Sequence, residues 1–149
     1  MYYQKEMILM QTVTTSELEL MDSWIESDPE HGRVRPAFPI NRSTGSEGGA
    51  VVYFEIEPGK YLPRHTDSPE EILYIVAGTA EAEVGGERGI VRAGDLAVIP
   101  AMVPHAVHNV GDDTLKVVGF FSEADVTSEF EEPLQPLGVA QIEMAAASA

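Results

Sequence analysis

The chain has 149 residues, 44% of them hydrophobic, with 9 Lys and Arg against 25 Asp and Glu, a formal charge of −16 and no cysteine. That length suits one domain burying roughly two thirds of its unfolded surface. The charge opposes phosphate backbones and anionic lipid, so neither a nucleic-acid nor a membrane partner is expected. Without thiolates, any metal must be held by nitrogen and oxygen. No stretch approaches the roughly 18 apolar residues of a membrane span, and the opening MYYQKEMILMQ lacks the order of a signal peptide, so a cytoplasmic location is expected.

In chain order, a strand is expected over residues 7–13. Ser16 and Glu19 then have capping-box spacing, with Leu18, Met21 and Ile25 at helical intervals and Trp24 alongside, which predicts a short amphipathic helix over 16–26. Residues 28–32 read as a turn, and His31 within it as a solvated loop residue. Arg33, Arg35 and Arg42 are available to a substrate carboxylate, although surface pairing with glutamates is the commoner role. From residue 50 onward turn signals recur at about ten-residue intervals, the pattern of a β-sandwich or barrel. The predicted strands are 50–56, 61–65, 72–77, 79–84, 89–91, 95–99, 105–109 and 115–121. Gly85-Gly86 marks one hairpin and Gly111-Asp112-Asp113 another. The acidic tail from Ser122 has Phe130, Leu134 and Leu137 as its strong apolar anchors and is expected to lie over the barrel, extended or as one helical turn, with residues 144–149 loosely ordered.

Two stretches carry the chemistry. In the first, His65 and Asp67 lie two residues apart on an extended strand, so both leave one face roughly 6.5–7 Å apart. Glu71 follows a short turn and opens an apolar run to Gly78, so a second strand can return beside the first. The second stretch, 94–109, places His105 at the start of a strand. If His65 points inward, strand parity also turns Tyr61, Pro63 and Asp67 inward; Glu71 brings Leu73, Ile75 and Ala77, and His105 brings Val103, Val107 and Asn109. Arg64 and His108 then point outward. Ile72, Tyr74 and Val76 are apolar on the opposite face, which must be covered by the N-terminal segment, the tail or a second subunit.

These stretches resemble the two motifs of the cupin family. Gly59, His65, Glu71 and Gly78 stand at the intervals of the first motif, with Asp67 where a second His is usual. Gly94, Pro100, His105 and Asn109 stand at those of the second, with Met102 in place of a Gly. The resemblance implies an all-β fold, the cupin double-stranded β-helix or jelly-roll barrel with a short N-terminal helix. One domain would cover 1–149, with an N-terminal extension to 35, a barrel core over about 36–122 and a tail over 123–149. It also implies a homodimer.

The resemblance further implies one divalent transition metal held by His65, Asp67, Glu71 and His105. Two imidazoles and two carboxylates inside an apolar barrel would be costly without a cation to pair them. Whether Asp67 binds directly, through water, or instead makes a local turn bond stays open. Replacing a His by Asp lowers the formal charge of the centre from about +1 to about zero, which favours Fe or Mn, with Ni or Zn possible. The expected function is a metal-dependent enzyme on a small-molecule substrate, foremost an oxygenase acting on an aromatic or enolisable compound. Asp67 and Tyr61 are the catalytic candidates, with Tyr61 and Asn109 orienting substrate. The alternatives are a non-oxidative isomerase, cyclase or lyase in which Asp67 or Glu70 moves a proton, and a non-catalytic binding or sensory barrel.

Overall fold

In a computed structural model, which describes residues 9–147, buried side chains alternate with more exposed ones along residues 71–76 and 115–121, and the chain resolves into strands. They are β1 (Ser23–Ile25), β2 (Arg33–Ile40), β3 (Ala50–Ile56), β4 (Tyr61–Asp67), β5 (Glu71–Ala77), β6 (Thr79–Val84), β7 (Glu87–Arg92), β8 (Leu96–Ile99), β9 (His105–Asn109), β10 (Leu115–Phe121), β11 (Thr127–Gln135) and β12 (Val139–Glu143). All strand pairings are antiparallel, in the order β7-β6-β9-β4-β11-β1-β2-β3-β10-β5-β8, with β12 on β11. The first six make one wall and the last five the other, joined through the short β1–β2 pairing. The result is a nearly closed jelly-roll barrel.

The core lies between the walls. From β10 it takes Leu115, Val117 and Phe121, from β5 Leu73 and Ile75, from β3 Val52, Phe54 and Ile56, and from β11 Phe130 and Leu134. Each large aliphatic side chain taken fully out of water contributes roughly 1.5–3 kcal/mol, so this shared interior holds the two walls together. The outer surfaces differ. On the β6–β9–β4 wall, Arg64 and Arg88 pair with Glu81, Glu83 and Glu131. On the other wall Ile72 sits in register between Val98 and Phe120, and Tyr74 beside Leu96, all of them 38–67% exposed.

Three expectations are corrected. The helix over 16–26 is instead a single 3-10 turn, Thr15–Glu17, followed by β1, because Trp24 and Ile25 pair with β2 and β11. So short an isolated helix has little to offset the cost of its first turn, whereas a strand between two others gains ladder bonds on both sides. The strand over 7–13 begins outside the described residues, and residues 9–13 are not a strand. The tail is not a cover laid over the barrel: β11 inserts between β4 and β1, so strands extend the barrel on both sides of 36–122. Met144, in the helical turn Met144–Ala147, is buried. No helix among the described residues is long and apolar enough to cross a membrane.

Candidate metal centre

Three strands bring four polar side chains to one point of the apolar interior. β4 supplies His65 and Asp67, β9 opens with His105, and β5 opens with Glu71. His65 and His105 are directly paired across β4 and β9, and their rings stand 4.2 Å apart at 51°. All four residues are buried, at 1–6% exposure.

Backbone carbonyls orient both imidazoles. Nδ1 of His65 donates to the Pro63 carbonyl at 2.8 Å and Nδ1 of His105 to the Val103 carbonyl at 2.9 Å. In the neutral rings this leaves both Nε2 lone pairs facing the cavity. Asp67 Oδ2 lies 3.1 Å from Nε2 of His105 and 3.5 Å from Nε2 of His65, and Glu71 Oε1 lies 3.5 Å from Nε2 of His105. Despite that closeness, neither Asp67 Oδ2 nor His105 Nε2 has an aligned hydrogen-bond partner among the described residues. Two lone pairs facing one another in a buried site call for a cation between them.

In the metal-free protein a proton can serve. Burial alone would depress the His105 imidazole, but Asp67 and Glu71 beside it push it up to about 10. Burial would raise Asp67, yet the His105 and His65 imidazoles close beside it hold it well below the usual carboxylate range. Glu71 goes the other way: burial, reinforced by the Asp67 charge, raises it.

A metal fits the same place. Ligand atoms about 2.1 Å from a common ion stand about 3.0–3.4 Å apart at octahedral to tetrahedral angles. One ligand atom each from His65, Asp67 and His105 all lie within 4.8 Å of one another. The nitrogen and oxygen donors suit Fe, Mn, Ni or Zn rather than a thiolate-seeking ion.

Two residues of the site escape a reading of the sequence. Ser128, on β11 opposite Asp67, donates its hydroxyl to Asp67 Oδ1 at 2.5 Å. Gly119, on β10, leaves room for Glu71: a Cβ there would sit 2.1 Å from Glu71 Oε2. Nothing in the tail singles Ser128 out. The alternation along β10, by contrast, does turn Gly119 inward, and an inward glycine in a strand marks a close approach.

Tyr61 does not reach the centre. The register of β4 against β9 shifts between Leu62 and His65, so parity reverses and Leu62 faces the cavity in its place. Tyr61 instead stacks on His108 with centroids 5.0 Å apart and donates to Asp28 Oδ2 at 3.1 Å. Asn109 is buried but structural: its Nδ2 donates to the carbonyls of Ile56 and Asp113, both at 2.8 Å, and its Oδ1 accepts from Gly111 N. Glu70 is exposed outside the cavity. His31 is an exposed loop residue bonded to Asp28. Arg33, Arg35 and Arg42 pair with Asp22, with Glu55 and Glu57, and with Asp125, all away from the cavity.

Around the four polar groups the cavity is lined by apolar side chains, among them Phe38, Phe54, Leu62, Val107, Phe121 and Phe130, and by no Lys or Arg among the described residues. It encloses about 50 Å³, room for an ion and a few waters. His65 and Phe130 also line an outer groove that includes Arg64, Thr66 and Met102. Phe130, stacked on His65 at 4.6 Å, is therefore a partition between groove and cavity.

Known proteins share these features in part. The cupin domain family matches residues 52–121. Polyketide synthase CurC of Streptomyces cyaneus is 30% identical over 77 residues, 51% of this chain and 50% of that protein, so the chain spans about half the length of this curated relative. The oxalate decarboxylase of Lactobacillus farciminis, in a formate complex, is similar over 75% of this chain and 33% of its own, with a TM-score of 0.64 at 22% identity. A Bacillus subtilis oxalate decarboxylase structure concerned with Mn(II) centres is similar over 68% of this chain and 28% of its own, with a TM-score of 0.58 at 25% identity. The two motifs, the jelly-roll barrel and the family match agree, and residues 52–121 of this chain form a cupin domain.

Proposed function

We propose that this cupin is a metal-dependent enzyme acting on a small, uncharged, aromatic or enolisable compound, with oxygenase chemistry as the first reading. The observation that carries it is the opposed pair Asp67 Oδ2 and His105 Nε2, 3.1 Å apart in an apolar cavity and neither with an aligned hydrogen-bond partner among the described residues. His65, Asp67 and His105 would hold one divalent transition metal, Fe or Mn by preference, with Glu71 beside His105 as the fourth donor. The bound metal would supply Lewis acidity and, in a redox-active ion, electron exchange with oxygen. The Mn(II) centres of the B. subtilis enzyme support a divalent transition ion.

The residues themselves support the substrate class. Oxalate, which the neighbouring enzymes are named for, is a dianion, and no Lys or Arg among the described residues lines this cavity to receive it. Apolar walls favour an uncharged ring or carbonyl compound and exclude water. A ring is too large for about 50 Å³, so seating it requires displacement of a wall, and Phe130 is the wall shared with the outer groove. In the arrangement where Asp67 stands beside the metal instead of ligating it, its Oδ2 is the group placed to accept a proton from such a substrate.

The polyketide synthase relative favours a second reading. Polyketides are enolisable, and proton removal followed by ring closure or isomerisation needs no oxygen. Protein reloaded anaerobically with Fe(II) or Mn(II) and offered a panel of catechols and β-diketones separates the readings. Oxygen uptake coupled to substrate loss supports the oxygenase; substrate loss under nitrogen supports the second. Metal content at background in wild-type protein after reloading would leave a metal-free binding barrel.

We also propose a homodimer formed through the apolar outer face of β8, β5 and β10. The described part of the tail is engaged on the opposite wall and does not cover this face. Its six large side chains, Ile72, Tyr74, Val76, Leu96, Val98 and Phe120, form an apolar patch, with Lys116 of β10 at the end of β5, on a chain of charge −16. A like face on a second copy would meet it without charge repulsion, in a standard interface of roughly 800 Å² per partner. Sedimentation velocity tests it.

A further inference from the structure

Under the proposed metal reading, the tail supplies what the motif residues lack. Asp67 has two carboxylate oxygens in a closed apolar site, and a carboxylate there can swing, bind an ion through both oxygens or turn back onto its own turn. We infer that Ser128 is the positioning residue that makes Asp67 a single-oxygen ligand, and that the strand carrying it, outside the cupin match at 52–121, is a working part of the centre.

The pairing of β11 with β4 sets Ser128 opposite Asp67 and Phe130 opposite His65. Both side chains on β11 line the cavity, and Glu129 between them is exposed. The Ser128 hydroxyl donates to Oδ1 at 2.5 Å, a short charge-assisted bond. With Oδ1 engaged, only Oδ2 remains without a hydrogen-bond partner among the described residues, and it lies 3.1 Å and 3.5 Å from the two imidazole Nε2 atoms. Neighbouring backbone groups are committed elsewhere. The Asp67 carbonyl accepts from Met102 N, and the next residue, Ser68, is tied to β11, its N donating to the Thr127 carbonyl and its Oγ accepting from Thr127 N. A histidine here would present one nitrogen unaided, whereas an aspartate must have its second oxygen occupied to do the same. Ser128 is the complement to Asp67 standing where the family motif has a histidine. It holds one coordination direction for Asp67 and leaves the others for substrate.

The test is Mn(II) binding by the full chain, measured from the loss of the free-ion electron paramagnetic resonance signal, with thermal unfolding of the metal-free proteins alongside. In Ser128→Ala the expected Mn(II) affinity falls about tenfold, in the range seen when outer-shell partners of metal ligands are removed. The bound-ion spectrum should change as well. Ser128→Thr, which keeps the hydroxyl, should restore both. An affinity and spectrum unchanged in Ser128→Ala would overturn the inference, as would a Thr variant as impaired as Ala. If wild-type protein takes up neither Mn(II) nor Fe(II), the metal reading falls and this inference with it. Wild-type binding that Ser128→Ala leaves intact removes this inference alone.

Discussion

The two walls of the barrel divide the work unequally. The β6–β9–β4–β11 wall carries three of the four inward polar groups and also their supports: carbonyls for both imidazoles and Ser128 for Asp67. Its outer face is laced with ion pairs. The β3–β10–β5–β8 wall contributes only Glu71, near His105 and over a glycine, and its outer face is bare of charge along β5 and β8. One wall gathers polar groups inside and ion pairs outside. The other closes the cavity and presents an apolar outer face. The same β-strand alternation produces both, because parity decides only which side chains share a face, and composition decides what that face is for.

The largest test of this division removes one donor from each wall. His105→Ala should bring metal content to background by elemental analysis, while Glu71→Gln, keeping size and losing charge, should retain measurable metal. Equal loss in both would show that the walls share the ion evenly. Next, Gly119→Ala drives a methyl into Glu71 and into Val52, 2.9 Å away. Overpacking of this kind costs about 1–3 kcal/mol, read as a lower midpoint in chemical denaturation. If stability is unchanged, Glu71 is free to move and the second wall is loosely packed.

The loop between the walls gives a smaller effect of opposite sign. Met102 stands at φ 64°, the left-handed region, where the family motif has a glycine and a side chain is strained. Met102→Gly should stabilise the protein by about 0.5–1 kcal/mol; destabilisation would show that its side chain packs usefully. Last, Arg64→Ala on the charged face and Val98→Glu on the apolar face should each change stability by about 0.5 kcal/mol or less. Only Val98→Glu should convert a dimer to a monomer in sedimentation velocity. A monomeric wild-type protein would end the homodimer reading.

Much of this architecture is legible in the sequence, for reasons that can be named. Strands such as β5 and β10 keep period two with turn signals at both ends, so their extent and inward residues follow from the pattern. The separation of His65, Asp67, Glu71 and His105 along paired strands is what brings them to one point. Parity misplaces Tyr61 because a register shift within β4 reverses it, and Pro63, inside the shift, is the residue whose type hints at it. The tail hides its strand for a similar reason: β11 departs from regular register between Glu129 and Leu134, so its buried residues, Phe130 and Leu134, fall four apart among glutamates and mimic a helical face. The N-terminal helix does not form because capping spacing and apolar period are weaker than the ladder bonds two neighbouring strands offer.

The arrival of β11 from beyond the matched region has a consequence for engineering. A chimaera cut at residue 122 would inherit every motif residue and still exchange the groups that steady Asp67 and lean on His65. Grafting different tails onto one motif-bearing core is thus a route to altering the surroundings of Asp67 and His65 without replacing either. A truncated core, conversely, is a poor stand-in for the whole, because it opens the interior at the strand gap between β4 and β1.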